Sequence, residues 1–195
     1  MRIILFVPFR AEGGSLKNLA QLLSAWEKQG QFAQHQITLH AVQESVQRIA
    51  SQTGPIVGLH IAPIPSGASR GLGRLLYDRL HAREQLQALR PDAIYCPGGT
   101  LPTGMAAPII INYQNLLPLQ QQLYAATQNL RLYISQRILR QMFKRSLATA
   151  TVPIFNSQHA LAQFEALMGR PLPHARVIPR AMENPIPDLQ SAAEL

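Results

Sequence analysis

Apolar residues fall into short unbroken runs, separated by stretches in which they recur at helical spacing. Arg2 to Phe9 is a continuous β-branched and apolar run, the mark of a strand buried on both faces. It stops at Ala11-Glu12-Gly13-Gly14-Ser15. Leu16, Leu19, Leu23 and Trp26 then follow at helical spacing, with Ser15 placed to cap that helix and Gly30 to end it. The same reading predicts a strand over 36–42, a helix over 43–52 and a strand over 56–62. Prolines and glycines from Pro63 to Gly71 predict a mobile loop. A long helix over 72–89 carries Leu75, Leu76, Leu80 and Leu86. Beyond it come a short strand over 93–96, the glycine turn Pro97-Gly98-Gly99-Thr100 and a strand over 108–112. A helix over 130–147, a strand over 149–155, a helix over 157–167 and a strand over 176–178 complete the pattern.

Strands alternate with helices and lack the in/out polarity of an exposed sheet. That predicts an α/β, doubly wound, Rossmann-like parallel sheet with helices on both faces and Arg2 to Phe9 at its centre. At 195 residues the chain has room for one such domain with a sizeable core, placed over 1–183. Residues 184–195 read as a linker or tail. No apolar run approaches the roughly 18 residues of a transmembrane helix. The opening run is cut by Pro8, Arg10 and Glu12, so it reads as a strand and not as a signal peptide.

Composition sharpens the choice of partner. Apolar residues are 47% of the chain and charged residues 14%, which describes a globular protein. Eighteen Lys and Arg against ten Asp and Glu give a net charge of +8, which favours acidic partners. Twelve aromatic residues (six Phe, five Tyr, one Trp) without basic–aromatic interleaving argue against nucleic acid. The single cysteine, Cys96, excludes an internal disulfide framework and fits a reducing compartment.

Four patterns bear on chemistry. Gly13-Gly14-Ser15 opens a helix after the first strand, where backbone N–H groups can hold a phosphate and Lys17 can add charge; two glycines also simply make a tight turn. Gly67 to Gly73 matches the G-x-x-x-G-x-G loop of short-chain dehydrogenases. However, it follows the third strand behind two prolines, and no Tyr is followed four residues later by Lys. From Ala93 to Phe164 there is no Asp or Glu, yet Arg131, Arg137, Arg140, Lys144 and Arg145 lie there. With Ile134, Ile138 and Met142 assigned to the core side, Arg137, Arg140 and Lys144 form an outward stripe. That stripe is either a solvated face or a patch for anionic lipid or a phosphorylated acceptor. The amides of Asn112, Gln114 and Asn115 can bind sugar hydroxyls or cap a turn. Of the six histidines, only His159, near a helix start, stands as a site candidate.

Taken in order, these parts resemble the amino-terminal half of a GT-B glycosyltransferase, family 4 in particular. The resemblance rests on the opening strand with Glu12-Gly13-Gly14, on Arg90-Pro91-Asp92-Ala93-Ile94-Tyr95 and on Asn112-Tyr113-Gln114-Asn115-Leu116-Leu117-Pro118. It continues through Arg137 to Arg145, Val152 to Ala160 and Val177 to Pro185. It implies one half of a GT-B fold, the acceptor-binding half of a retaining transferase that uses a nucleotide-sugar and no obligatory metal. Gly13, Gly14, Ser15, Lys17, Asn112, Gln114, Asn115, Ser157, His159 and Arg180 would contact the donor phosphates or the acceptor. No catalytic residue is assigned, and no cofactor beyond the donor substrate. The product would be a cell-surface polysaccharide or glycolipid, made on the cytoplasmic membrane face. The donor-binding domain would follow Asn184, so the chain alone is expected to be inactive. Many relatives also carry a histidine where Asn112 to Asn115 stand. The competing class is a non-catalytic α/β module that binds an anionic partner or regulates another enzyme.

Overall fold

The computed structural model describes residues 1–68, 71–126 and 129–179. Seven parallel strands make one sheet: β1 (Arg2–Val7), β2 (Gln36–Val42), β3 (Leu59–Ile64), β4 (Ala93–Cys96), β5 (Ile109–Tyr113), β6 (Val152–Phe155) and β7 (Arg176–Val177). Their order is β3-β2-β1-β4-β5-β6-β7, so the chain moves outward from β1 in one direction, then crosses back and moves outward in the other. That is the doubly wound, Rossmann-like arrangement, with its switch point between β1 and β4.

The helices are α1 (Gly13–Lys28), α2 (Gln31–Gln34), α3 (Gln43–Thr53), α4 (Gly71–Leu80), α5 (Ala82–Ala88), α6 (Gln121–Ala125), α7 (Leu130–Thr149) and α8 (Gln158–Met168). Two cores follow from the pleat of β1. Leu5 and Val7 face α1 and α3, and pack with Leu19, Leu23, Ile37, Leu39 and Ile49. Ile4 and Phe6 face the other way, joining Leu86, Ile111, Tyr113, Phe143, Phe155 and Phe164. β1 therefore has no polar side over Ile4 to Val7, which is why its sequence runs apolar without interruption. β4, β5 and β6 differ. Ile94, Cys96, Ile109, Ile111, Tyr113 and Phe155 are buried, but the alternate residues Tyr95, Ile110, Asn112, Val152 and Ile154 are only half-buried.

The predicted boundaries around β3 and α4 move, each for a local reason. β3 begins at Leu59 because Gly58 sits at φ +85, outside the extended region. It then continues through Pro63 to Ile64, because an edge strand tolerates proline. The predicted loop is thus partly strand, followed by a short 3-10 turn over Ser66–Ala68. Ser69 and Arg70 lie outside the described residues. The long helix over 72–89 is two helices joined at His81, whose φ of −123 leaves the helical region. The break brings Ala82 and Leu86 into the core while Leu76 and Leu80 stay exposed. Tyr77, also on α4, is the buried residue there. It meets His40 Nε2 at 2.9 Å and Gln85 Oε1 at 2.9 Å through its hydroxyl.

Candidate functional site

The chain after β1, the chain after β4 and the chain after β5 meet at the carboxyl ends of their strands, beside the switch point. They enclose a cavity of about 340 Å³ against α7. Phe9 comes from the first segment, Pro97, Gly98 and Thr100 from the second, and Gln114 and Asn115 from the third. Ser15, Arg74, Leu139, Met142 and Phe143 complete the wall.

Two of the three segments are each pinned by a serine hydroxyl. The Ser45 hydroxyl donates to the Phe9 carbonyl at 2.8 Å and accepts from the Ala11 N–H at 2.8 Å, so the β1 segment is tied to α3. Ser146 on α7 does the same for the chain after β4: its hydroxyl accepts from Leu101 N–H at 2.8 Å and donates to Leu101 carbonyl at 3.2 Å. Glycine is needed in the turn between. A β-carbon at Gly98 would lie 2.0 Å from Cε1 of Phe9, and Gly99 has φ +75 with Tyr113 and Phe143 close by. The Phe9 ring therefore rests directly on backbone.

Arg74 reaches this floor from α4. Its Nη1 donates to the Pro8 carbonyl, its Nη2 to Thr100 Oγ1 at 2.8 Å and its Nε to Asp78 Oδ2 at 2.7 Å. The guanidinium also lies 5.9 Å from the centre of the Phe6 ring. Both partners of the ion pair are largely buried, with side chains 11% and 12% exposed. Burial pushes the Asp78 carboxyl above its ordinary value, although Arg74 pulls it back. One guanidinium thus joins β1, the turn after β4 and α4. Sequence reasoning missed it: Arg74 stands at the end of the glycine pattern set aside as a dehydrogenase-like loop, and its partners are far away in sequence.

Two of the three predicted amides line the cavity. Gln114 Oε1 accepts from Asn18 Nδ2 at 3.1 Å, and Asn115 Oδ1 accepts from Leu117 N–H at 3.0 Å. Asn112 stands on the opposite face of β5, with Nδ2 3.4 Å from the Tyr95 hydroxyl. Ser15 also lines the cavity but does not cap α1 as expected. The N-cap is Glu12; Ser15, three residues on, donates to the Glu12 carbonyl at 2.8 Å and accepts from the Glu12 N–H at 3.2 Å. Gly13 and Gly14 open the helix, and Gly13 has φ +51. The Glu12 carboxylate is held by Arg10 at 2.6 Å and Arg48 at 3.3 Å. Both guanidiniums pair with that one carboxylate, so the start of α1 beside Gly13, Gly14 and exposed Lys17 keeps a net positive charge. Ser157 caps α8, its Oγ accepting from Ala160 N–H at 3.1 Å. His159 is exposed on that helix, and neither residue lines the cavity. Arg180 lies outside the described residues.

The predicted face of α7 is overturned. Ile134 and Ile138 are 49% and 37% exposed, whereas Phe143 and Leu147 are buried with Ser146. Arg137 and Lys144 are exposed as expected, but Arg140 is half-buried. Aromatic packing decides this. Phe143 meets Tyr113 edge-on at 5.4 Å and Phe164 at 5.8 Å, so this face of α7 joins the aromatic cluster of the core. The outer face of α7 is an exposed apolar stripe, Leu130, Ile134 and Ile138, among basic residues.

Among the described residues lining the cavity there is no carboxylate, histidine or cysteine. The lining offers amide donors and acceptors, an aromatic ring and one anchored cation. The chain matches no family model and no curated protein.

Proposed function

We propose that this domain is the acceptor-binding half of a retaining, nucleotide-sugar-dependent glycosyltransferase that builds cell-surface polysaccharide or glycolipid. The observation that carries the reading is the cavity beside the switch point, walled by the Phe9 ring and the amides of Gln114 and Asn115. Sugars present alternating hydroxyls and C–H faces, which such a mixture satisfies: the amides donate and accept, and the ring covers apolar faces. Open α/β sheets bind their ligands at this position. The order of motifs from Glu12 to the segment after β7, similar to family 4 of the GT-B enzymes, supplies the reaction class.

The test is saturation-transfer NMR against a panel of mono- and oligosaccharides, followed by sugar transfer after a donor-binding domain is added. Binding abolished by Phe9→Ala and Gln114→Ala supports the reading. Saturable binding of no sugar, with no transfer, favours the non-catalytic module. The exposed Leu130, Ile134 and Ile138 stripe with its basic neighbours supports peripheral docking on an anionic cytoplasmic membrane face, where such helices lie in the interface plane.

A further inference from the structure

A second cavity, of about 330 Å³, adjoins the first across Met142, which lines both. It lies between α4, α5 and α7, and three arginines line it: Arg79 from α4, Arg83 from α5 and Arg145 from α7. All three are exposed and within reach of a ligand. Asp78 also lines this cavity, but its Oδ2 is engaged with Arg74 at 2.7 Å. Among the described residues no carboxylate forms a salt bridge with Arg79, Arg83 or Arg145. Beside the cavity, one of them packs against bare backbone. Gly104 has φ +77, and a β-carbon there would lie 3.2 Å from Cζ and from Nη1 of Arg83, so the bare backbone lets the guanidinium lie close against it. Thr103, next to it, adds a hydroxyl.

Three like charges drawn to one concavity repel each other, and a bound anion reverses the sign of that interaction. Guanidinium groups grip phosphate oxygens through paired, charge-assisted N–H donors, and they keep their charge at any working pH. We propose that this cavity is a subsite for a phosphate or diphosphate group carried by the acceptor, beside the sugar held by Phe9, Gln114 and Asn115. The assignment to the acceptor rests on the function proposed above; the anion site itself rests only on the three arginines. The Arg74–Asp78 pair separates the two cavities. The amide-lined cavity, where Arg74 is paired with Asp78, and the one lined by three arginines together form an elongated site for a sugar bearing its phosphate at one end.

The experiment is isothermal titration of the chain with inorganic phosphate, pyrophosphate and the nucleotide UDP, at low and high salt. It is repeated on Arg79→Gln, Arg83→Gln and Arg145→Gln. Each substitution is expected to weaken pyrophosphate about tenfold, the loss of one hydrogen-bonded charge contact. Salt should weaken the parent as the Debye length shrinks. Thermal melts of the variants should match the parent, since the three side chains are exposed. Phosphate binding as tightly as pyrophosphate assigns the subsite to a monophosphate; tighter pyrophosphate assigns it to a diphosphate. No saturable binding of either anion, or binding unchanged by all three substitutions, overturns the proposal. UDP binding about tenfold or more tighter than pyrophosphate overturns the assignment to the acceptor. Failure of the sugar panel alone, with arginine-dependent pyrophosphate binding intact, overturns the function proposed above and leaves the anion subsite standing.

Discussion

The Arg74 guanidinium and the Thr100 hydroxyl lie 2.8 Å apart, 26 residues apart in sequence, and the same guanidinium holds Asp78 at 2.7 Å. That cluster couples α4 to the cavity floor. Removing the cation in Arg74→Met leaves a buried carboxylate, the Pro8 carbonyl and the Thr100 hydroxyl without their donor. The expected loss is about 3 kcal/mol of unfolding free energy in urea, the low end for breaking a buried pair. Arg74→Met combined with Asp78→Leu should recover part of it, because no uncompensated charge remains. A single-variant loss below about 1 kcal/mol would show that the pair is not structural.

His40 sets a pH dependence. It is 3% exposed, with Nδ1 2.8 Å from the Ala62 carbonyl and Nε2 2.9 Å from the Tyr77 hydroxyl. A carbonyl only accepts, so the neutral ring carries its proton on Nδ1. Burial lowers its pKa, outweighing the Ala62 contact. Below about pH 6.5 the unfolded chain therefore takes up a proton that the folded chain resists, and stability falls as pH falls. Chemical denaturation from pH 7.5 to 5 should show this decline, and His40→Gln should flatten it. A decline of equal steepness in the variant would move the effect to other groups.

The corrected face of α7 makes an unequal pair of outcomes. Phe143→Ala should cost about 3–5 kcal/mol, as expected for emptying a packed aromatic site. Ile134→Ser with Ile138→Ser should change stability by no more than about 0.5 kcal/mol each, because both side chains are exposed. The double serine variant should also lose binding to anionic vesicles in co-sedimentation. Arg137→Gln with Lys144→Gln should weaken that binding by about 1 kcal/mol each, and less at high salt. Vesicle binding that is identical in all forms leaves this face an ordinary solvated one.

Gly98→Ala tests the cavity wall. Its new β-carbon would fall 2.0 Å from Cε1 of Phe9, so the ring must swing away. The expected result is a folded protein whose sugar binding is lost. Gly99→Ala meets Tyr113 at 2.9 Å and also requires φ +75 from a residue with a side chain. It should be destabilised by roughly 1–3 kcal/mol, visible as a lowered melting temperature.

Ser45→Ala removes both hydrogen bonds by which its hydroxyl holds the segment after β1. The Ala11 N–H is left buried and unsatisfied, at an expected cost of about 1–3 kcal/mol. Amide hydrogen exchange should rise at Ala11 ahead of the rest of the sheet; protection unchanged from the parent would count against the pin.

Fold class and most elements were legible in the order of residues along the chain. Runs such as Ile3 to Val7, and the spacing of Leu16, Leu19 and Leu23, are properties of neighbouring residues: a parallel strand buried on both faces must be apolar throughout, and a helix on a sheet must be apolar along one stripe. The place of Gln114 and Asn115 beside the cavity was also legible, since a polar cluster straight after an apolar strand marks its carboxyl end. Which stripe of a helix is buried was another matter. α7 offers two apolar faces, and only the aromatic cluster of Tyr113, Phe155 and Phe164 chooses Phe143 over Ile134. The tertiary structure alone decided the place of Arg74, whose contact with the Pro8 carbonyl spans 66 residues, and the meeting of Arg79, Arg83 and Arg145 on one cavity. Spacing along the chain reports what lies on one element; a guanidinium at the end of a long side chain takes its partners from whichever strands the crossover of the sheet brings beneath it.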